Sequence, residues 1–176
     1  MQRYVNAKSR EEIIFTKNAT EAINLVASTY GEKFIESGDE ILITELEHHA
    51  NYVPWHFIRE KKGAVIKFAK CNDKGEVDID EIKKLISNKT KIIAVTHLSN
   101  VTGAIMPIKK IVDLAKSKNI PVLIDGTQGA PHSVLDVQDL ECDFYAISCH
   151  KMYGPNGLGI LFAKKKWIDE LPPYQG

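Results

Sequence analysis

Short apolar runs of five or six residues recur along the chain, separated by segments whose apolar residues return at helical spacing. The runs at 12–16 (EIIFT), 40–44 (EILIT), 64–69 (AVIKFA), 91–96 (KIIAVT), 121–125 (PVLID), 144–148 (FYAIS) and 159–163 (GILFA) read as strands. A run with hardly a polar position suits a strand buried on both faces, the situation in a parallel or mixed sheet covered by helices. The intervening segments supply those helices. Asn18-Ala19-Thr20 opens one, with apolar positions at Ala22, Ile23, Val26 and Ala27. Residues 51–62 form another and tolerate Pro54 in the first turn. Asp78 caps a short helix reaching Ile86, Pro107 starts one reaching Ser117, and Asn72 to Gly75 make a turn. The alternation predicts an α/β three-layer sandwich around a mostly parallel central sheet.

With 176 residues, 44% of them hydrophobic, the chain can bury the core of one domain. The basic and acidic residues balance at 23 each, so no charge excess points to nucleic acid. Lys164, Lys165 and Lys166 read as a solvated helix start rather than a binding patch. No stretch is apolar for long enough to span a bilayer, and residues 1–6 lack a signal-peptide core. Cys71, Cys142 and Cys149 show neither a CxxC pair nor a metal spacing, which suggests reduced thiols in a cytoplasmic setting. The chain begins almost directly on a strand and ends on Pro172-Pro173-Tyr174-Gln175-Gly176, so both ends read as cut.

Ligands of open α/β sheets collect beyond the carboxyl ends of the strands. Thr20, His48, His49, His97, Ser99, Asn100, Asp125, Gln128, Ser148, His150 and Lys151 all follow predicted strands. Asp125 is either a turn cap or the partner of a protonated pyridine nitrogen, which keeps such a ring able to accept electrons. Most lysines are solvated. Lys151, however, follows a buried strand and precedes a Gly/Pro turn, where a desolvated amine with a lowered pKa could act as a nucleophile. Thr20 and the helix start behind it either form an ordinary turn capped by Asn18 or bind a phosphate through free amides. Ser148 and His150 could add phosphate contacts. His48 is either a satisfied histidine or a ring stacked on a cofactor. The adjacent pair His48-His49 has poor metal spacing, and no P-loop or GxGxxG favours a nucleotide.

Five stretches together, at 15–27 (FTKNATEAINLVA), 47–55 (EHHANYVPW), 96–103 (THLSNVTG), 124–128 (IDGTQ) and 142–159 (CDFYAISCHKMYGPNGLG), resemble group II cysteine desulfurases. These stand close to selenocysteine lyases, within the class V aminotransferase group of fold-type I enzymes that use pyridoxal 5'-phosphate (PLP). The resemblance runs colinearly over essentially the whole chain. It implies that residues 1–176 are part of a PLP-binding large domain, with the small C-terminal domain absent. It further implies that Lys151 is the Schiff-base lysine, that Asp125 pairs with the pyridine nitrogen, and that Gln128 bonds the ring hydroxyl. His48 would stack on the ring. Asn100 would stand near the ring hydroxyl and the substrate carboxylate, and Thr20, Ser148 and His150 would hold the phosphate.

The implied reaction takes sulfur from L-cysteine, or selenium from L-selenocysteine, and leaves alanine. The implied enzyme is a homodimer that passes sulfur to an acceptor protein, as in iron–sulfur cluster assembly. None of the three cysteines stands at the family's catalytic-cysteine position. Cys149 occupies a place usually held by glycine and reads as a packed, inert thiol. The competing readings are a class V transaminase or epimerase, and an α/β domain without catalysis.

Overall fold

A computed structural model describes residues 1–175. Its centre is a seven-stranded sheet in the order β1-β7-β6-β5-β4-β2-β3. The strands are β1 (Ile13–Thr16), β2 (Glu40–Thr44), β3 (Val65–Ala69), β4 (Thr90–Thr96), β5 (Val122–Asp125), β6 (Phe144–Ser148) and β7 (Gly159–Ala163). Strands β3, β2, β4, β5 and β6 run parallel, while β7 pairs antiparallel with both β6 and β1. Every predicted strand is present, each within a residue or so of its expected bounds.

The helices are α1 (Gln2–Val5), α2 (Ala19–Val26), α3 (Glu32–Phe34), α4 (Val53–Lys62), α5 (Ile79–Leu85), α6 (Ile108–Lys116), α7 (Gly129–His132), α8 (Val137–Leu140) and α9 (Lys165–Glu170). Helix α2 continues through a π-helical turn, Ala27–Gly31, into α3. Local chemistry sets the helix ends as expected. Asn18 accepts from the Glu21 amide, Asp78 accepts from the Asp80 amide, and Pro54 lies in the first turn of α4. Helix α9 starts within the lysine run, on the solvated side.

Successive strand residues face opposite sides, so one sheet builds two cores. Ile41, Ile43, Ile92, Ala94, Leu123, Phe144 and Ala146 meet Ala22, Ile23 and Val26 of α2 and Trp55 and Ile58 of α4. Leu42, Ile93, Val95, Val122, Ile124, Tyr145 and Ile147 meet Ile82 of α5 and Ile108, Ile111, Val112 and Ala115 of α6. This is the expected three-layer arrangement. Strands β2, β5, β6 and β7 are buried at every position. Strands β1 and β3 depart from the expectation of burial on both faces, because they close the two ends of the sheet; Phe15 and Phe68 are exposed there.

Topology then positions the site. From β2 the chain steps outward to β3 and returns on the opposite side of β2 as β4. The strand order reverses between β2 and β4, and the candidate site opens beside that reversal, at the carboxyl ends of β4, β5 and β6.

Candidate active site

The carboxyl edge of the sheet holds a cleft of about 270 Å³. Thr20, His48, Asn100, Asp125, Gln128, Ser148, His150 and Lys151 all line it, with Asn18, Ala19, Ala50, Thr96, Leu98 and Thr127. The eight residues to which the resemblance gives a role therefore line one cleft, although they come from five separate segments. His49, His97 and Ser99 also follow predicted strands but are not among the lining residues.

Register explains part of the convergence. Thr96 pairs with Asp125, Asp125 with Ala146, and Ser148 with Gly159. Thr96, Asp125 and Ser148 share strand parity with Ala94, Leu123 and Ala146, so they emerge on the face covered by α2. Two glycines let other elements close in. A Cβ on Gly159 would stand 2.4 Å from the carbonyl carbon of Asn18. Only a bare backbone at the start of β7 therefore lets the N-terminus of α2 approach β6, where the Ala19 amide donates to Ser148 Oγ at 3.0 Å. A Cβ on Gly126 would stand 1.8 Å from the Tyr145 ring. The turn after Asp125 thus rests directly on that buried ring.

Asp125 is 4% exposed. One oxygen, Oδ1, accepts from the Thr127 amide at 3.0 Å, and no other hydrogen bond to this carboxylate occurs among the described residues. A nearly buried carboxylate with spare acceptor capacity facing a cleft suits a cationic N–H partner. The cap reading and the ring-partner reading of Asp125 are compatible, since one oxygen serves each.

The end of the cleft at the start of α2 shows a similar division. Asn18 caps α2. Ser148 is buried and its oxygen is occupied as an acceptor by the Ala19 amide, which leaves its hydroxyl proton to donate. The amide and hydroxyl of the exposed Thr20 make no hydrogen bond within the described residues. Unpaired donors at the start of a helix favour an anion.

His48 is exposed, and its Nδ1 accepts from the Ala50 amide at 3.1 Å. That bond fixes the ring and puts the proton of the neutral imidazole on Nε2. Lys151 departs from its expected setting. It lies in a 3-10 turn, Cys149–Met152, that carries it past the end of β6, and it is exposed rather than desolvated. His150, Asn100 and the half-buried Gln128 have side chains without hydrogen bonds among the described residues. Cys149 is 7% exposed and packs in the core, and burial pushes its thiol up, as expected for an inert cysteine.

Two features escaped the sequence. His97 Nδ1 lies 2.7 Å from the Tyr145 hydroxyl, beneath the Asp125 turn. Burial holds that imidazole below its usual range and raises the phenol well above its own. Glu47 is the second, and its carboxylate bonds to three elements at once. Each depends on a contact distant in the chain, His97 to Tyr145 across 48 residues and Glu47 to Thr96 across 49. Among the described residues no group of three or more His, Cys, Asp and Glu side chains is placed to hold a metal, and no helix is long and apolar enough to cross a membrane.

A mostly parallel seven-stranded sheet with helices on both faces and a polar cleft at its carboxyl edge is the architecture of fold-type I PLP-dependent enzymes. Residues 1–176 match the family model described as aminotransferase class-V, and the chain belongs to that family. It is similar to a cysteine desulfurase from Pectobacterium carotovorum subsp. carotovorum, with 44% identity over 98% of this chain and 42% of the relative. A cysteine desulfurase from Wigglesworthia glossinidia brevipalpis is 48% identical over 99% of this chain and 43% of its own length. Among solved structures, the S-sulfonic acid form of the cysteine desulfurase CsdA from Escherichia coli superposes with a TM-score of 0.96 at 38% identity, covering 99% of this chain and 44% of that one. A C-DES mutant with glycine covalently linked to its PLP cofactor has a TM-score of 0.89 at 26% identity, covering 98% of this chain and 46% of that one. The chain thus spans less than half the length of these relatives.

Proposed function

We propose that the chain is the cofactor-binding core of a PLP-dependent cysteine desulfurase. The observation that carries this reading is the meeting of Lys151, Asp125, Gln128, His48, Asn100, Thr20, Ser148 and His150 in one cleft. The desulfurase relatives support the choice of reaction.

The donor set fits the cofactor. Asp125 would face the pyridine nitrogen with its spare oxygen, and Gln128 and Asn100 would serve the ring hydroxyl. Ser148, Thr20, His150 and the start of α2 would hold the phosphate. His48 would cover one face of the ring, and Lys151 would carry the cofactor covalently through its amine. When bound, PLP supplies an electron sink for negative charge at the substrate Cα.

The protein's own groups do the remaining work. Asp125, kept charged opposite a cation, maintains the pull of that sink. Lys151, exposed in its turn, is free to move a proton at Cα of L-cysteine. Asn100 orients the substrate carboxylate. The nucleophile that takes the sulfur is a different matter. Cys142 and Cys149 are buried with raised thiol pKa values, which leaves them poor nucleophiles, and the half-buried Cys71 does not line the cleft. We assign the sulfur-accepting cysteine to the length that the relatives have and this chain does not span. The fuller reading is a homodimeric cytoplasmic enzyme that delivers sulfur from L-cysteine to an acceptor protein, for iron–sulfur clusters among other uses.

Spectroscopy with added PLP tests this. The wild type is expected to keep an absorption band near roughly 420 nm through dialysis, and L-cysteine is expected to perturb it. Lys151→Ala is expected to lose the band. A wild type without any band would overturn the proposal.

A further inference from the structure

We propose that Glu47 is an anionic positioning residue that fixes where His48 stands over the cleft, by tying residues 45–51 to the ends of β2 and β4. Glu47 Oε1 accepts from Thr44 Oγ1 at 2.6 Å and from the Thr96 amide at 3.0 Å. Its Oε2 accepts from Asn51 Nδ2 at 2.7 Å. One carboxylate therefore joins the last residue of β2, the last residue of β4 and the turn that leads into α4. These elements meet where the strand order reverses, and His48 is the next residue in the chain.

Partner chemistry dictates an acceptor at both oxygens. Trp55 is fully buried and its indole nitrogen can only donate; it does so to Asn51 Oδ1 at 3.3 Å. Asn51, also fully buried, must then present its amide nitrogen to Glu47. The Thr96 amide can only donate as well. Thr44 Oγ1 accepts from the Leu46 amide at 3.1 Å and sends its own proton to Glu47. A carboxylate meets all three donors, whereas a carboxamide meets the Asn51 donor with another donor.

Protonation undoes the same arrangement. Burial pushes the Glu47 carboxyl up, the donors from Thr44, Asn51 and Thr96 oppose that, and Asp125 adds to the rise, leaving it at about 7. The other titratable groups around it are Glu45, His49 and Tyr52, which line a neighbouring cleft with it, and His48. The inference rests on the cofactor reading only for the purpose of the cleft, since the hydrogen-bond network needs no cofactor.

The test compares the wild type, Glu47→Gln, and the pair Glu47→Gln with Asn51→Asp. The pair moves the charge across the bond and restores an acceptor for every donor. Hydrogen exchange of the Trp55 indole N–H, assigned with the help of Trp167→Phe, is expected to speed up about tenfold in the single variant and to recover in the pair. PLP affinity is expected to fall about tenfold and recover likewise. An unchanged single variant, or a pair no better than the single, overturns the proposal. Should the single variant not fold, the wild-type indole resonance decides: it is expected to titrate with a midpoint of about 7, and a flat resonance overturns the proposal. Failure of the wild type to bind PLP counts against the proposed function, and the exchange and titration results still decide the role of Glu47.

Discussion

Asp125 concentrates the chemistry of the cleft in one side chain. It is nearly buried and has one backbone donor, so a bound cation is the natural complement of its second oxygen. Asp125→Asn keeps the shape and removes the charge. The expected outcome is PLP affinity weakened by at least about tenfold, or about 1.4 kcal/mol, in an equilibrium titration. Glu47 gives a second prediction, on stability. Its folded pKa of about 7 lies above the ordinary value of 4.5. A carboxyl shifted upward contributes stability that is present below the ordinary value and is lost as pH rises through the folded one. The difference in unfolding free energy between wild type and Glu47→Gln is therefore expected to move in favour of the variant between pH 4.5 and about 7, as read by chemical denaturation. Asp125, Ser148 and Lys151 were legible in the sequence because each stands at or just past the end of an apolar run, and strand ends mark the ligand edge. Glu47 was not, because Thr44 and Asn51 read only as the end of a strand and the start of a helix, and Thr96 joins them only in the fold.

Gly159 shows how an element is held in place by the lack of a side chain. The start of β7 lies against the backbone of Asn18, and this contact lets α2 reach Ser148. Gly159→Ala is expected to cost about 1–3 kcal/mol through overpacking, seen as a lower denaturation midpoint. The same variant is expected to weaken inorganic phosphate or PLP binding, because the Ala19 to Ser148 bond is displaced with the helix start. The strands and the longer helices could be read from period and caps, since a run of five or six apolar residues or an amphipathic helix such as α6 carries its pattern locally. Helices α7 and α8 are four residues each, shorter than any pattern that distinguishes a helix. The exposure of Lys151 was hidden for a related reason: a 3-10 turn, Cys149–Met152, has no hydrophobic period to announce it. The antiparallel course of β7 follows from the short Gly/Pro connection after β6, which leaves no room for a crossover helix.

At the scale of the molecule, two cores on opposite faces of one sheet hold a cleft that neither core fills. A ligand bound there couples to the whole fold through the strand ends. With PLP at a hundredfold excess over its dissociation constant, linkage gives about 2.7 kcal/mol, which for a chain of this size corresponds to a rise in Tm of roughly 5–10 °C. Calorimetry is expected to show that rise in the wild type and a smaller one in Lys151→Ala. The architecture and most of the cleft were legible because strand ends follow one rhythm, although that rhythm also pointed to His49, His97 and Ser99, which do not line it. The order of the strands was not, since nothing in the rhythm says on which side of β2 the chain returns. The most direct test of the central claim is chemical. PLP is added to the chain, the complex is reduced with borohydride, and the protein is digested and mapped by mass spectrometry. The account predicts the cofactor adduct on Lys151 alone, despite the other lysines at the surface. An adduct spread over Lys164, Lys165 and Lys166, or absent from Lys151, would contradict it.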